Sequence, residues 1–358
     1  MTEISAFANG RVNLIGEHTD YNGGWVLPTA IPQRTDVRLR LRDDDRVVAK
    51  TTMRGASVAE YTLGDEKKTG DWSDYLKGAT KILSSVLVER EAAPIHGFEI
   101  DFESTVPTGS GLSSSAAFEI ATLKALREAF RIDLSDVELA QIGQRIENEF
   151  VGAQVGIMDQ MACALARYGE ALFLDTKALK YESVTIPMDV LDLVVINSGV
   201  EHNHAEGDYN ARVRECQSAC KQLGVSSLRE VTPEMVASAE MGEIEKKRAR
   251  HVATENIRVK EAVEALRTNN FVRLGQLFGE SHASMRDDYQ ISVSQVDELV
   301  ALCAMRPEVF GARLTGGGFG GSIVAIARKG CGLAMAREVV KLYGEKTGQT
   351  ATILVPEV

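Results

Sequence analysis

Between Thr35 and Thr52 apolar positions alternate with charged ones, at Val37, Leu39 and Leu41 and again around Val47, Val48 and Ala49. A period of two puts such residues on one face of a strand, so this segment is expected to form a hairpin turning at Asp43, Asp44 and Asp45. Before it, a short strand, a polar glycine-bearing loop and a strand through Trp25, Val26 and Leu27 are expected. The polar stretch from Gly64 to Asp71 reads as a loop. It leads into an amphipathic helix carrying Tyr75, Leu76, Ile82, Leu83 and Leu87. Phe98, Ile100 and Phe102 mark a strand from Gly97 to Ser104. The loop VPTGSGLSSSA follows, then helices over about Ala116 to Ala129 and Asp136 to Phe150, and a glycine-bearing turn into IMDQMACALAR.

LDLVVINS, from Leu191 to Ser198, is a nearly continuous apolar run of the kind that forms a buried strand. A domain boundary is expected just before it, giving domains 1–190 and 191–358. The second half predicts helices over Ala253 to Arg267 and Phe271 to Ser281, then a strand near Ala312 to Leu314. The glycine run TGGGFGG, a strand over Ser322 to Ala327, a helix from Gly332 to Tyr343 and a last strand in ATILVPEV complete it. Strands and helices mix without strict βαβ alternation, which predicts an α+β fold. A chain of 358 residues exceeds what one hydrophobic core usually organises, hence two domains. No internal repeat of 20–50 residues is evident.

The formal charge of −11 argues against a nucleic-acid or anionic-membrane partner, both of which require a basic surface. Cys163, Cys216, Cys220, Cys303 and Cys331 are odd in number and lack a CxxC pair, which disfavours a disulfide framework or a zinc knuckle. Cys216 and Cys220 read as buried structural residues. MTEISAF carries no basic segment ahead of an apolar core, and no apolar run approaches the ~20 residues of a membrane span. A cytoplasmic protein is expected, monomeric or weakly self-associating.

Several segments carry candidate chemistry. In Pro107 to Ala116, Gly109, Ser110, Gly111, Leu112, Ser113, Ser114 and Ser115 lie between a strand and a helix. Backbone N–H groups freed by glycine at a helix N-terminus suit a phosphate. The Lys-Ser/Thr pair of a Walker loop is missing. A plain turn with a serine helix cap is the competing reading. Gly316, Gly318 and Gly321 satisfy GxGxxG, but SIVAIA after them reads as a strand, whereas a dinucleotide fingerprint must open a helix. Close approach of backbone to a ligand or another loop accounts better for these glycines.

Arg11, Glu17, His18, Asp20 and Tyr21 cluster around Gly16, Gly23 and Gly24. Carboxylates beside an imidazole suit a polyol, since each can accept two hydroxyls; a metal site and a solvated turn are equally compatible with the spacing. Asp159, in GIMDQM, has an apolar context and is expected to pair with a cation or act as a base. Glu147, taken alone, reads as a surface residue. His202, His204, Glu206 and Asp208 are expected to belong to a polar lid segment and not to a metal cluster. Lys246, Lys247, Arg248 and Arg250 are expected to form a solvated helix face.

Together these segments resemble the GHMP kinases, and within them the galactokinases. GRVNLIGEHTDYNGG resembles that family's sugar-binding signature, PTGSGLSSSAA its phosphate-binding motif and LTGGGFGGS its third motif. FVGAQVGIMDQ resembles the segment bearing the catalytic aspartate; DWSDYLKG, KRARHVATEN and SHASMRDDY extend the likeness over most of the chain. The resemblance implies ATP-dependent phosphorylation of the anomeric hydroxyl of galactose, with Mg2+. Asp159 then matches the catalytic carboxylate and Arg11 its cationic partner. Glu17, His18, Asp20, Gly156 and Tyr209 match the sugar contacts, Gly109 to Ser115 the nucleotide loop, and Ser115 and Glu147 the magnesium ligands. Trp72 and Tyr75 fall near the family's nucleotide base or in the core.

The implied fold is an N-terminal domain like the second domain of ribosomal protein S5 and a ferredoxin-like C-terminal domain, with the active site in the cleft between. Two departures stand out: Asn9 replaces a usual proline, and EHNHAEGDYN replaces a stretch resembling KHxLASSEYN, with Glu201 reversing a charge. Another hexose or an N-acetylhexosamine is therefore an alternative substrate. A non-catalytic galactose sensor is a further alternative, disfavoured because Ser113 to Ala117 are intact.

Overall fold

The computed structural model describes residues 3–52, 57–200 and 205–356, with the side chains of 205 and 206 left aside. In chain order it contains β1 (Glu3–Asn13), β2 (Trp25–Val26), β3 (Pro28–Leu41), β4 (Arg46–Thr51), β5 (Ser57–Thr62), α1 (Ser73–Glu89), β6 (Phe98–Ser104) and α2 (Ser114–Ala129). Next come α3 (Asp136–Arg145), α4 (Met158–Leu165), β7 (Glu170–Asp175), β8 (Lys180–Thr185), β9 (Leu191–Asn197), α5 (Ala205–Leu223) and α6 (Pro233–Ser238). The chain ends with α7 (Glu243–Arg267), α8 (Phe271–Ser284), α9 (Ser294–Ala304), β10 (Val309–Thr315), β11 (Ser322–Arg328), α10 (Gly332–Thr347) and β12 (Thr352–Val355). The class is α+β, as the mixed pattern implied.

Two compact units share the chain. One takes residues up to Arg11, then Ile31–Thr108 and Ser113–Leu165; the other takes Val12–Ala30, Gly109–Leu112 and everything from Ala166 onward. The expected cut at 190/191 follows chain order, whereas these units are interleaved.

In the first unit the expected hairpin is not one. β3 and β4 form, and the chain does turn at 42–45, but β6 lies between them, antiparallel to β3 and parallel to β4. Val37 and Leu39 sit opposite Phe102 and Ile100, and Val47 and Ala49 opposite Phe98 and Ile100. Alternation fixes which face is buried and says nothing about the pairing partner. Spanning two strand spacings needs about 10 Å, within reach of the four-residue turn. Gly97 is required there, because a Cβ would come within 2.3 Å of the Asp44 carbonyl oxygen. The true hairpin partner of β4 is β5, which the sequence pattern did not reveal. β1 pairs with β3, and Asn9, at the position of the usual proline, donates to the Ile31 carbonyl at 2.8 Å.

The buried sheet face carries Val37, Leu39, Val47, Ala49, Phe98, Ile100 and Phe102. The other face is a ladder of exposed ion pairs such as Arg38–Glu103 and Arg42–Glu99, each worth at most ~1 kcal/mol. Trp72, just before α1, packs edge-on against Phe102 and Phe118, and Tyr75 meets Phe118 edge-on; both are half-buried at the margin of this aromatic core.

In the second unit β10–β11–β9–β12 form an antiparallel sheet. With the helices between β9 and β10 and α10 between β11 and β12, this is the split βαβ order of a ferredoxin-like domain. Its core includes Val194, Ile196, Leu299, Ile323, Val339 and Tyr343. β2, β7 and β8 pair antiparallel, and β7 joins the start of β3 where Ala171 lies opposite Thr29; β7 and β8 went unrecognised in the sequence.

The basic run in α7 departs from a solvated face. Arg248 is buried, pairing with Glu215 at 2.6 Å and donating to Gln290 Oε1 at 3.0 Å. A guanidinium can be buried where its fork of donors is satisfied, and neighbouring charges in the sequence do not reveal that.

Candidate functional site

The first unit assembles a carboxylate, a guanidinium and the serines at the start of α2. Arg11, 3% exposed near the end of β1, donates from Nε to Asp159 Oδ1 at 2.9 Å and from Nη2 to Oδ2 at 2.8 Å. This is the two-pronged guanidinium–carboxylate geometry that fixes orientation as well as charge. Asp159 stands in the first turn of α4, and its side chain keeps 32% exposure against 4% for Arg11. The carboxylate thus faces outward from a buried cation. Cys163, one turn further on, is fully buried, and burial pushes its thiol well above the usual range.

Ser113 precedes α2 with φ of 60°, an uncommon conformation for a residue with a Cβ. Its hydroxyl does not cap the helix; it donates to Asp159 Oδ2 at 2.5 Å. The serine-cap reading therefore fails at this residue. Ser115 Oγ donates to Glu147 Oε1 at 2.9 Å.

Glu147 is 7% exposed, which overturns its reading as a surface residue. The helix does not end at Arg145: it continues as a π-turn over Ile146–Val151, closed by Gly152 at φ 92°. Such a wider turn re-aims a side chain within an otherwise regular helix. Behind Glu147 lie Glu119 and Gln160, both fully buried. Gln160 Nε2 lies 3.4 Å from an oxygen of each glutamate. Burial, then the neighbouring Glu147, pushes the Glu119 carboxyl well up. Gly156 is buried in a loop pinned where Asn148 Oδ1 accepts from the Val155 amide at 2.8 Å.

The magnesium expectation can be tested on this donor set. Mg2+ takes hard oxygen ligands at about 2.1 Å in an octahedron, so adjacent ligands lie about 3.0 Å apart. A hydroxyl and a carboxylate oxygen 2.9 Å apart fit one edge of that octahedron.

The second unit holds the loop between β1 and β2. Glu17 is buried: Arg313 Nη2 donates to Oε2, and the Gly316 amide donates to Oε1 at 3.1 Å. Burial raises the Glu17 carboxyl against the opposing pull of Arg313. Arg313, wholly buried, also donates to the Leu14 carbonyl at 2.9 Å. Glu255 on α7 accepts from the Gly16 amide at 3.0 Å, from Ser281 at 2.6 Å and from Arg258 at 2.7 Å. Burial opposes its ionisation, but Arg258, His251 and Arg313 hold it at about 2.

His18 is 4% exposed inside a cage of tyrosines, with ring centroids 4.9 Å from Tyr289, 5.1 Å from Tyr209 and 5.7 Å from Tyr21. Burial lowers its pKa to about 3, so the ring is neutral. Tyr209 on α5 is half-buried, and Asp20 opens a short 3-10 turn, Asp20–Asn22, also half-buried. The expectations on Glu201, His202 and His204 fall outside the described residues, as does the side chain of Glu206; among the described residues no group of three His, Cys, Asp or Glu could hold a metal.

Gly109–Leu112 runs beside the second glycine run. A Cβ on Gly316 would lie 3.0 Å from the Gly111 carbonyl oxygen, and Ser322 Oγ donates to the Ser110 carbonyl at 2.7 Å. Backbone approaching another loop is thus what these glycines permit, and a strand, β11, follows them instead of a helix. Sequence reasoning missed Arg313, Glu255, His251 and Tyr289. His251 and Glu255 stand four apart on α7, a spacing that places them on one helix face and could have flagged them. No helix among the described residues is long and apolar enough to cross a membrane, and all five cysteines are free.

Residues 2–40 match the galactokinase galactose-binding signature, 74–167 the GHMP kinases N terminal domain and 262–343 the GHMP kinases C terminal region. The galactokinase of Glaesserella parasuis is 40% identical, the match covering 99% of this chain and 93% of that one. The crystal structure of Lactococcus lactis galactokinase complexed with galactose superposes with a TM-score of 0.92 at 35% identity, over 98% of this chain and 92% of the other. The mevalonate kinase of Methanococcus jannaschii shares the fold, with a TM-score of 0.69 at 19% identity. At 40% identity over nearly its whole length, with the signature followed in order by the N- and C-terminal GHMP regions, this chain belongs to the galactokinases, a family of kinases within the GHMP group.

Proposed function

We propose that this protein transfers the γ-phosphoryl group of ATP to the anomeric hydroxyl of galactose, with Asp159 and Arg11 as its catalytic pair. The observation that carries the reading is the Arg11–Asp159–Ser113 arrangement, in which an outward-facing carboxylate is held from behind by a guanidinium and from the side by the serine that precedes α2. Phosphoryl transfer through a loose transition state asks mainly for positioning and charge stabilisation. Asp159 accepts the hydroxyl proton as the phosphorus–oxygen bond forms, since a carboxylate is too weak a base to remove it beforehand. Arg11 stabilises charge between the sugar oxygen and the transferring group.

The amides opening α2, with Gly109 to Ser115, suit the phosphates of ATP, because a helix N-terminus favours an anion. Glu17, His18, Asp20, Gly156 and Tyr209 are assigned to the sugar. Ser115 and Glu147 would hold Mg2+, whose chemistry is to neutralise charge on the phosphate oxygens. We place the reaction in the cytoplasm, where free thiols persist.

A panel of hexoses and N-acetylhexosamines, read by coupled ADP release, tests the reading. Galactose is expected to give the highest kcat/KM. An N-acetylhexosamine or another hexose ahead of galactose overturns the substrate, and no sugar-dependent ADP release overturns the kinase.

A further inference from the structure

Behind His18 runs a chain of hydrogen bonds that the proposed reaction does not use. His18 Nε2 is 3.2 Å from the Gly317 carbonyl oxygen, and Nδ1 is 2.9 Å from the Tyr21 hydroxyl. That hydroxyl is 2.7 Å from the hydroxyl of Tyr289, which is in turn 3.0 Å from the sulfur of Cys216. Tyr289 and Cys216 are 0% and 2% exposed, so the inner end of this path is buried, while Tyr21 is half-buried.

One end of the chain fixes its direction. A carbonyl can only accept, so His18 Nε2 must carry the proton and donate to Gly317. In a neutral imidazole Nδ1 is then an acceptor, and Tyr21 must donate to it. With its single proton spent, Tyr21 accepts from Tyr289; by the same logic Tyr289 accepts from the Cys216 S–H. Each group has a single proton in this arrangement and each is used once. All members are neutral near pH 7: burial lowers His18 to about 3, pushes Cys216 up to about 12 and raises both tyrosine hydroxyls well above their ordinary value.

We infer that Tyr21, backed by Tyr289 and Cys216, is a positioning residue that donates to the His18 Nδ1 lone pair and so locks the ring in the orientation whose Nε2–H faces Gly317, set for sugar binding. The role of His18 toward the sugar rests on the reading given under the proposed function. The rest stands on the tyrosine geometry alone. A buried Nδ1 without a donor is costly, so loss of the Tyr21 hydroxyl releases the ring to flip or change tautomer.

The test uses the full-length protein with 15N-labelled histidine, without sugar, together with steady-state kinetics. In the wild type the His18 Nε2 signal is expected in the protonated range and Nδ1 in the unprotonated range. Tyr21→Phe is expected to give a tautomer mixture and to raise the sugar KM about tenfold, with kcat and the ATP KM within about twofold. Tyr289→Phe is expected to do the same more weakly and Cys216→Ala more weakly still, because direction is imposed from the Gly317 end. An unchanged tautomer in both tyrosine variants overturns the inference, as does a sugar KM that stays within about twofold of wild type in Tyr21→Phe. The NMR arm needs no substrate and the kinetic arm uses whichever sugar the panel selects, so a wrong sugar leaves this test intact. Should Tyr289→Phe fail to fold, Tyr21→Phe, at a half-buried position, decides alone.

Discussion

Ser113 Oγ donates to Asp159 Oδ2 at 2.5 Å, so the residue that should cap α2 instead grips the carboxylate on α4. If Asp159 accepts the sugar proton, Asp159→Asn removes the acceptor while keeping the shape. A loss of about 10²–10⁴-fold or more in kcat is expected, with the sugar still bound. Ser113→Ala removes only orientation and is expected to cost about tenfold. Stopped assays with calorimetric sugar titration check both. An Asp159→Asn enzyme with wild-type turnover would falsify the assignment.

Glu147 and Ser115 make a second test. Replacing Glu147 by Gln keeps an oxygen near Ser115 but removes the charge that a divalent cation needs. The Mg2+ concentration for half-maximal rate is expected to rise more than about tenfold. Thermal stability without Mg2+ should not fall, since losing this charge also relieves the buried Glu119 beside it. An unaltered Mg2+ dependence sinks the assignment.

What could be read in the sequence follows from how local each signal is. The strand over Phe98–Ser104, the helix after the serine loop and the succession of strands and helices from Leu191 onward came from short-range periodicity and turn residues, while the ferredoxin-like arrangement of that second half came from the resemblance. The β3–β4 pairing did not, because β6, inserted some fifty residues later, decides it. The position of Glu147 was likewise hidden. A π-turn leaves no mark in a helical pattern, yet it re-aims the carboxylate toward Ser115. Arg313 stood next to a glycine motif, but its partners Glu17 and Glu255 lie 296 and 58 positions away, and no spacing rule connects them. Asp159 could be flagged as needing a cation, and only the resemblance supplied Arg11.

His251 gives a pH prediction. Its Nδ1 meets Ser284 at 2.9 Å, its Nε2 meets the Glu17 carbonyl at 3.1 Å, and burial lowers its pKa to about 4. In the unfolded chain a histidine titrates near ~6.5. Between those values the unfolded state binds a proton that the folded state refuses. Stability from this group is therefore complete above about pH 6.5 and lost as pH falls toward 4, at about 1.4 kcal/mol per pH unit. His251→Asn lacks the effect, so the stability gap between wild type and variant should shrink by about 2 kcal/mol from pH 6.5 to pH 5. Urea unfolding at the two pH values measures it, and a pH-independent gap would contradict the buried neutral imidazole. Glu255, held at about 2, acts in the lower window between about 4.5 and 2 and stays out of this comparison.

Two glycines of α8 predict opposite outcomes for one substitution. A Cβ at Gly275 would lie 1.8 Å from the Phe310 carbonyl oxygen and 2.4 Å from its carbon, both of them backbone of β10. A Cβ at Gly279 would meet nothing within 4 Å. Alanine in a helix interior gains about 1 kcal/mol over glycine from propensity alone. At Gly279 that gain stands, so Gly279→Ala should raise stability by up to about 1 kcal/mol. At Gly275 the helix must move off β10, and Gly311 gives no slack, since a Cβ there would already lie 2.5 Å from the Gly275 carbonyl oxygen. Overpacking against backbone costs about 1–3 kcal/mol or more, which outweighs the propensity gain. Gly275→Ala should therefore lower the urea midpoint while Gly279→Ala raises it. Equal shifts of the same sign would mean that α8 does not pack on β10 through Gly275 and Gly311.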